Sequence, residues 1–268
     1  MLSAMRGDLT HYGRLRLWGS VGFIVAVMVS GQLLDWYGIG LVPWISLALL
    51  ALVAFAASGM QEEGAQHAAH DAPPVRQLLR LREVQAFFAS TFLMIAAHAS
   101  LYVYYSLYLA EIGYSKTVIG LMWSLGVVAE IAFFYWQSPL FRRFGLRRLM
   151  LGSLAIGVVR FVMIGVGAES LALLLIAQLL HAATFGVHHS ASVATLQRWF
   201  SGPLQARGQA LYISVSYGLG GSLGGLLLSA CWDTFGAKIV YLLAAALCVF
   251  AWLAASLSYR SEERRVGK

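Results

Sequence analysis

Glu130, Arg160 and His181 are ionisable residues set in apolar stretches, and each is out of place there. A charge in hydrocarbon is costly unless something compensates it. In WSLGVVAEIAFFYW (123–136) Glu130 is the one charged residue. The three lie in successive apolar segments. Glu130 is about seven residues from the basic end of its segment, and Arg160 and His181 are about eleven from theirs. At 1.5 Å per residue those depths agree within about 6 Å. At one depth they can pair around a polar cavity. The chemistry that suits them is proton coupling. An apolar wall makes a carboxyl hold its proton, and a neighbouring guanidinium makes it let go. A carboxyl that gains and loses Arg160 as a cavity opens to either side changes its proton affinity, and His181 can relay or share the proton. The competing reading is a buried ion pair that only fixes helix packing, but a buried pair is weak evidence for stability.

Other side chains share faces with these three. His98, Tyr102 and Tyr105 fall on one face of the segment 85–110 by i, i+4, i+7 spacing. Trp123, Gly126, Glu130, Phe134 and Gln137 share a face of 116–137, and Gln178, His181, Thr184 and His188 share one of 171–192. An aromatic, histidine-bearing pocket suits a flat aromatic substrate. Tyr104 and Tyr108 fit packing or an interfacial belt as well as a pocket, and His189 points to the side. SYGLGGSLGG (216–225) lacks the Lys-Ser/Thr ending of a phosphate loop. It reads as close helix packing through small residues. No metal spacing, catalytic Asp pair, Ser-Lys or His-E-x-x-His occurs in the apolar segments. The expectation is a protein that is not an enzyme and uses no cofactor beyond the proton as coupling ion.

The elements that position these residues are membrane spans. The chain is 59% hydrophobic and only 12% charged, with mean hydropathy +0.72, whereas a soluble domain has about a quarter charged residues. Eight apolar runs are long enough to cross a bilayer: roughly 15–35, 41–60, 85–110, 116–137, 149–167, 171–192, 209–232 and 239–258. The connections 61–84, 138–148 and 193–208 are longer and basic, while 36–40, 111–115, 168–170 and 233–238 are tight turns. The net charge of +7 reflects topology rather than nucleic-acid binding. Arg6, Arg14, Arg16, Arg76, Arg80, Arg82, Arg142, Arg143, Arg147, Arg148, Arg198, Arg207 and Arg260 fall on one side, and only Lys116 and Lys238 on the other. The positive-inside rule then puts both termini and the long loops in the cytoplasm. Cys231 and Cys248 sit in apolar runs, where a disulfide is not expected.

Two segments repeat. SGQLLDWYGIGLVPWISLALLALVAFAAS (30–58) aligns with LSACWDTFGAKIVYLLAAALCVFAWLAAS (228–256), Asp35 on Asp233. Under that offset Gly22 meets Gly220, Gly38 meets Gly236, and Ala56-Ala57-Ser58 meets Ala254-Ala255-Ser256. The offset implies a repeat of six spans, the layout of secondary transporters. The expected domains are 1–60, the last two spans of a first bundle; 61–84, a cytoplasmic linker around Pro73-Pro74; 85–258, a complete six-helix bundle; and 259–268, a tail. RSEERRVGK within that tail matches the translation of a common sequencing-adapter read and is set aside as a candidate artefact. By the repeat logic four spans precede Met1, and the alternative that the chain does nothing alone is tested by the DNA upstream.

Six spans per half with a cytoplasmic linker resembles the major facilitator superfamily. SPLFRRFGLRR (138–148) is similar to its signature loop G-x-x-x-D-R-x-G-R-R, with Arg143, Gly145, Arg147 and Arg148 in place and Arg142 where the acid stands. That loop implies conformational gating, without the acid-mediated contact. YGRLRLWGSVGFI (12–24), AHASLYVYYSLYLAEIGYS (97–115), MWSLGVVAEIAFF (122–134), LFRRFG (140–145) and LLHAATFGVHHSA (179–191) resemble the phenylpropionate permease family. Its relatives include nucleoside:proton symporters and, more distantly, the lactose permease group. The resemblance implies a twelve-span, proton-coupled importer of the bacterial inner membrane, here spans five to twelve. In fold terms it is an all-α polytopic membrane protein with eight transmembrane helices, embedded in lipid and monomeric when complete. It implies that the first and fourth spans of each half line the cavity. His181 matches the histidine of the lactose permease group within the shared Leu-His pair, and the acid three residues later there is Thr184 here, so Glu130 must carry more of the proton chemistry. The expected proton-coupling residues are Glu130, Arg160 and His181. The expected substrate cavity is His98, Tyr102, Tyr105, Trp123, Gln178, Thr184 and His188. The substrate expectation is a small aromatic carboxylate such as 3-phenylpropionate, with a nucleoside or sugar as the alternative.

Overall fold

The computed structural model describes residues 18–26, 29–30, 33, 36–59 and 75–266. Among them every regular element is helical. Arg6, Arg14, Arg16, Asp35 and the first part of the linker, with Pro73-Pro74, lie outside the described residues. The leading elements are α1 (18–26), α2 (Val42–Ser58) and the short α3 (Val75–Leu79).

Among the described residues four helices are long and apolar enough to cross a membrane: Arg82–Glu111, Thr117–Gly167, Leu171–Trp199 and Gly202–Glu262. The second has 51 residues and the fourth 61. Even the shorter is about 75 Å of helix, against about 30 Å of hydrocarbon, so one crossing cannot use it. Both break at a glycine, at Gly145 (φ 73°, ψ 162°) and at Gly236 (φ 76°, ψ 174°). Only glycine enters that region without strain. The breaks divide residues 82–266 into six helical segments: α4 (Arg82–Glu111), α5 (116–144), α6 (146–167), α7 (Leu171–Trp199), α8 (202–235) and α9 (237–266).

The turns at 111–115 and 168–170 fall where the sequence reading has them. Ser115 starts α5 by accepting a bond from the Val118 amide at 3.3 Å. The basic connections differ from that reading. The expected loop 138–148 contracts to Gly145, with Pro139 inside the helix. Helix likewise runs on to Trp199 through the first half of 193–208. Hydropathy marks where an apolar run ends. The helix itself continues as long as good helix formers such as Arg142, Arg143, Arg147 and Arg148 follow.

Gly38 (φ 81°) and Gly236 (φ 76°), the pair aligned by the repeat, share a positive φ. An aromatic precedes each, Tyr37 and Phe235, as Phe144 precedes Gly145.

The core is organised on α4, which packs most extensively on α8 and α9. Phe87, Met94, Ala97, Leu101, Tyr105 and Leu109 of α4 are buried. The glycine-rich stretch is the contact surface of α8. A methyl group added at Gly220 would lie 2.8 Å from the Phe92 carbonyl oxygen, and one at Gly224 2.5 Å from Ala96 Cα. Small residues there let two backbones approach. Tyr104 stacks on Trp232 at 4.4 Å, and Tyr108 lies over Tyr241 at 5.6 Å, so both belong to packing. No residue of α2 is buried.

Candidate functional site

Glu130 on α5, Arg160 on α6 and His181 on α7 are all buried: 5%, 1% and 7% exposed. Their helices meet closely because Gly126 sits one turn before Glu130. A methyl group there would lie 3.0 Å from Gln178 Oε1 and 3.5 Å from His181 Cδ2. Gly186 does the same one turn beyond, where a Cβ would meet Phe133 at 2.7 Å.

Two described side chains approach the Glu130 carboxylate. His181 Nε2 lies 3.8 Å from Oε2. The Ser20 hydroxyl of α1 donates to Oε1 at 3.4 Å. Ser20 is itself buried although it belongs to the leading segment. It therefore joins that segment to the six-helix unit at the acid. Sequence reasoning missed it. The signal was present in the string RLWGS, but a lone serine in an apolar run carries no spacing to flag it.

Arg160 is placed differently from the expectation. It does not reach across to Glu130. Its Nε donates to the Ala177 carbonyl at 2.7 Å, Nη1 to the Thr184 hydroxyl at 2.9 Å and Nη2 to Gln178 Oε1 at 3.4 Å. All three acceptors are on α7. Thr184 passes a bond on to the His181 carbonyl at 3.3 Å. The acid and the arginine thus meet through α7, whose Gln178 and His181 stand between them.

The rings form a continuous chain. Trp123 and Tyr102 are near-parallel at 6.4 Å, and Tyr105 meets Trp123 edge-on at 5.5 Å. The Trp123 indole N–H donates to Ser106 at 3.0 Å. His98 lies 6.4 Å from Tyr102 and 6.3 Å from His181. His181 stacks on Phe185 at 5.4 Å, and Phe185 on His189 at 6.1 Å. His189 Nδ1 then meets the Tyr217 hydroxyl at 3.1 Å. His189, read from the sequence as pointing aside, is part of this row. The H-x-x-x-F-x-x-x-H spacing was its signal.

His98 is fully buried, and its Nδ1 faces the Met94 carbonyl at 2.9 Å. A carbonyl only accepts, so Nδ1 carries the proton. Among the described residues Nε2 of His98 has no hydrogen-bond partner, nor do His181 Nδ1, Gln178 Nε2 and His188 Nε2. His188 lies two turns beyond His181 on α7, about 10 Å along the axis. The structure does not bring it to Glu130. Tyr102 is 52% exposed, and Tyr105 is fully buried behind it. Of the loop residues, Arg143 covers the Phe144 ring at 5.4 Å, Gly145 makes the break, Arg147 is half-buried and Arg148 is exposed.

The MFS_1 like family model matches residues 1–243. The chain is 35% identical, over 219 residues, to a probable 3-phenylpropionic acid transporter of Escherichia coli (strain K12); the match covers 79% of this chain and 56% of that protein. It is 28% identical over 263 residues to a maltose permease of Geobacillus stearothermophilus, covering 96% of this chain and 65% of the permease. It is also 25% identical over 211 residues to the uncharacterized transporter YwbF of Bacillus subtilis (strain 168), covering 78% and 53%. The chain spans less than two thirds of the length of each.

Proposed function

Because the chain belongs to the MFS_1 like family of the major facilitator superfamily, we propose that this multi-pass membrane protein works as a proton-coupled importer of a small aromatic carboxylate. It acts by alternating access in the bacterial inner membrane, as a monomer with both termini in the cytoplasm. The observation that carries the reading is the buried Glu130–His181 contact at 3.8 Å, set in a chain of aromatic rings. The similarity to a probable 3-phenylpropionic acid transporter supports the substrate class.

In this reading Glu130 takes the proton, His181 shares it, and Ser20 links that event to the leading segment. The glycine at 145 and the arginines at 143, 147 and 148 form the gating joint between α5 and α6. The second reading is a sugar symporter of the same fold, favoured by a maltose permease match that covers 96% of the chain.

The test is uptake into proteoliposomes. A carboxylate entering with one proton moves no net charge, so uptake responds to a pH gradient and not to membrane potential. A neutral sugar entering with one proton moves one charge, worth ~2.3 kcal/mol per 100 mV. Uptake driven by a potassium-diffusion potential alone, with no competition from aromatic acids, overturns the carboxylate reading in favour of the sugar.

A further inference from the structure

Arg160 carries five N–H donors on a charge that does not titrate away under ordinary conditions. It is 1% exposed, and its three partners are all neutral oxygens. Among the described residues no carboxylate lies within 4.0 Å of it. A buried cation facing only neutral acceptors is an uncompensated charge, and such a charge favours a ligand that brings the opposite sign. A carboxylate also matches the guanidinium fork, two oxygens on two parallel N–H groups.

One of the three partners is placed to give way. Ala177 O and Thr184 Oγ1 hold the guanidinium at 2.7 and 2.9 Å. Gln178 Oε1 sits at 3.4 Å, the long end of the hydrogen-bond range. A glutamine amide is planar and the size of a carboxylate, but neutral. Among the described residues its Nε2 has no hydrogen-bond partner, and the residue is 1% exposed. If the amide swings off, Nη2 is vacated, and beside the second N–H of Nη1 it presents a two-donor fork. Gly126, where a Cβ would lie 3.0 Å from Gln178 Oε1, leaves the space for the swing. Phe161 and His98 border the spot: the guanidinium lies 5.9 Å from the Phe161 ring, which is edge-on to His98 at 5.4 Å.

We propose that Arg160 is the anchor for a substrate monocarboxylate and that Gln178 is its stand-in, capping Nη2 until the carboxylate displaces it. The assignment rests on the transporter reading above and sharpens it. Arg160 belongs to substrate selection, while the proton stays with Glu130 and His181. Thr184 and Ala177 are positioning groups that aim the guanidinium.

Removing Arg160 outright strands three buried acceptors, so the cleaner variant is Gln178→Glu, which puts a fixed carboxylate where the stand-in amide lies. Binding is measured by calorimetry on the detergent-purified protein, with 3-phenylpropionate, its amide 3-phenylpropionamide, and the aliphatic acid hexanoate as probes. Folded state is checked by size-exclusion elution. The wild type is expected to prefer acid to amide, and Gln178→Glu to weaken acid binding about 100-fold, the cost of a broken buried charge pair, and amide binding much less, so that the preference for acid is lost. Arg160→Lys, which keeps the charge but not the fork, is expected to lie between. Equal acid binding by folded Gln178→Glu and wild type overturns the proposal, as does the absence of any acid binding by the wild type. If hexanoate binds with the same Gln178→Glu sensitivity and neither aromatic probe binds, the anchor stands and the aromatic reading falls. If the wild type binds acid and amide alike and Gln178→Glu changes neither, an aromatic-substrate transporter stands and the anchor falls.

Discussion

The contact of α4 with α8 and the contact of α5 with α7 are built on the same device and serve opposite ends. Both use glycine to bring two helices close: Gly220 and Gly224 in the first, Gly126 and Gly186 in the second. In the first contact the space is filled by backbone. The atoms nearest the missing methyls are the Phe92 carbonyl and Ala96 Cα. In the second it is filled by side chains that carry polar groups: the Gln178 amide, the His181 ring and, beside them, Glu130. Backbone against backbone leaves nothing to rearrange. Polar side chains with donors and acceptors left over, such as His181 Nδ1 and Gln178 Nε2, can re-pair. The difference separates a contact that holds the unit together from one that can change partners in the proposed transport cycle.

The largest effect expected from breaking this contrast lies in the first contact. Gly224→Leu must displace the α4 backbone, and overpacking of this kind costs about 3 kcal/mol or more. The expected result is a loss of most of the monodisperse protein in size-exclusion recovery. Gly126→Ala, in the second contact, should leave recovery near normal because a glutamine side chain can move. If Gly126→Ala is the more damaging, the two contacts have been ranked the wrong way round.

Arg160→Ala should come next, costing about 3 kcal/mol by stranding the acceptors on α7. The double variant with Glu130→Gln should recover none of that loss, since the two groups do not touch. Additivity within about 0.5 kcal/mol is the criterion. A melting temperature for the double variant above that of Arg160→Ala would show that the two are energetically coupled.

The smallest effect is expected at the end of the ring chain. His189→Phe keeps the stack on Phe185 and loses the bond to Tyr217, a change of about 1 kcal/mol. Thermal melts at pH 6 and pH 8 should shift together. A shift confined to one pH would give His189 a charge-dependent role that the stack alone does not provide.

Much of this was legible in the chain. Apolar length located the helical segments of 82–266, and the glycine stripe of 216–225 announced the α8 contact, because both are properties of one segment at a time. The depths of Glu130, Arg160 and His181 were also countable. Their pairing was not. Depth along the membrane normal says nothing about direction around the helix, and Arg160 faces α7 rather than α5. Ser20 was hidden for a different reason: its partner is 110 residues away in sequence. The row His181–Phe185–His189 needed one further fact. In an α-helix i, i+4, i+8 positions drift by about 40° per step. Residues Ala182–Val187 are π-helical, and their slower winding offsets that drift. The basic loop at 138–148 was misjudged because charge ends an apolar run without ending a helix.

The central claim is that Glu130 carries the coupled proton. Glu130→Gln removes the proton and keeps the shape. Proteoliposomes holding this variant should exchange preloaded 3-phenylpropionate at close to the wild-type rate, yet fail to accumulate it under an inward proton gradient. Accumulation equal to that of the wild type would contradict the account.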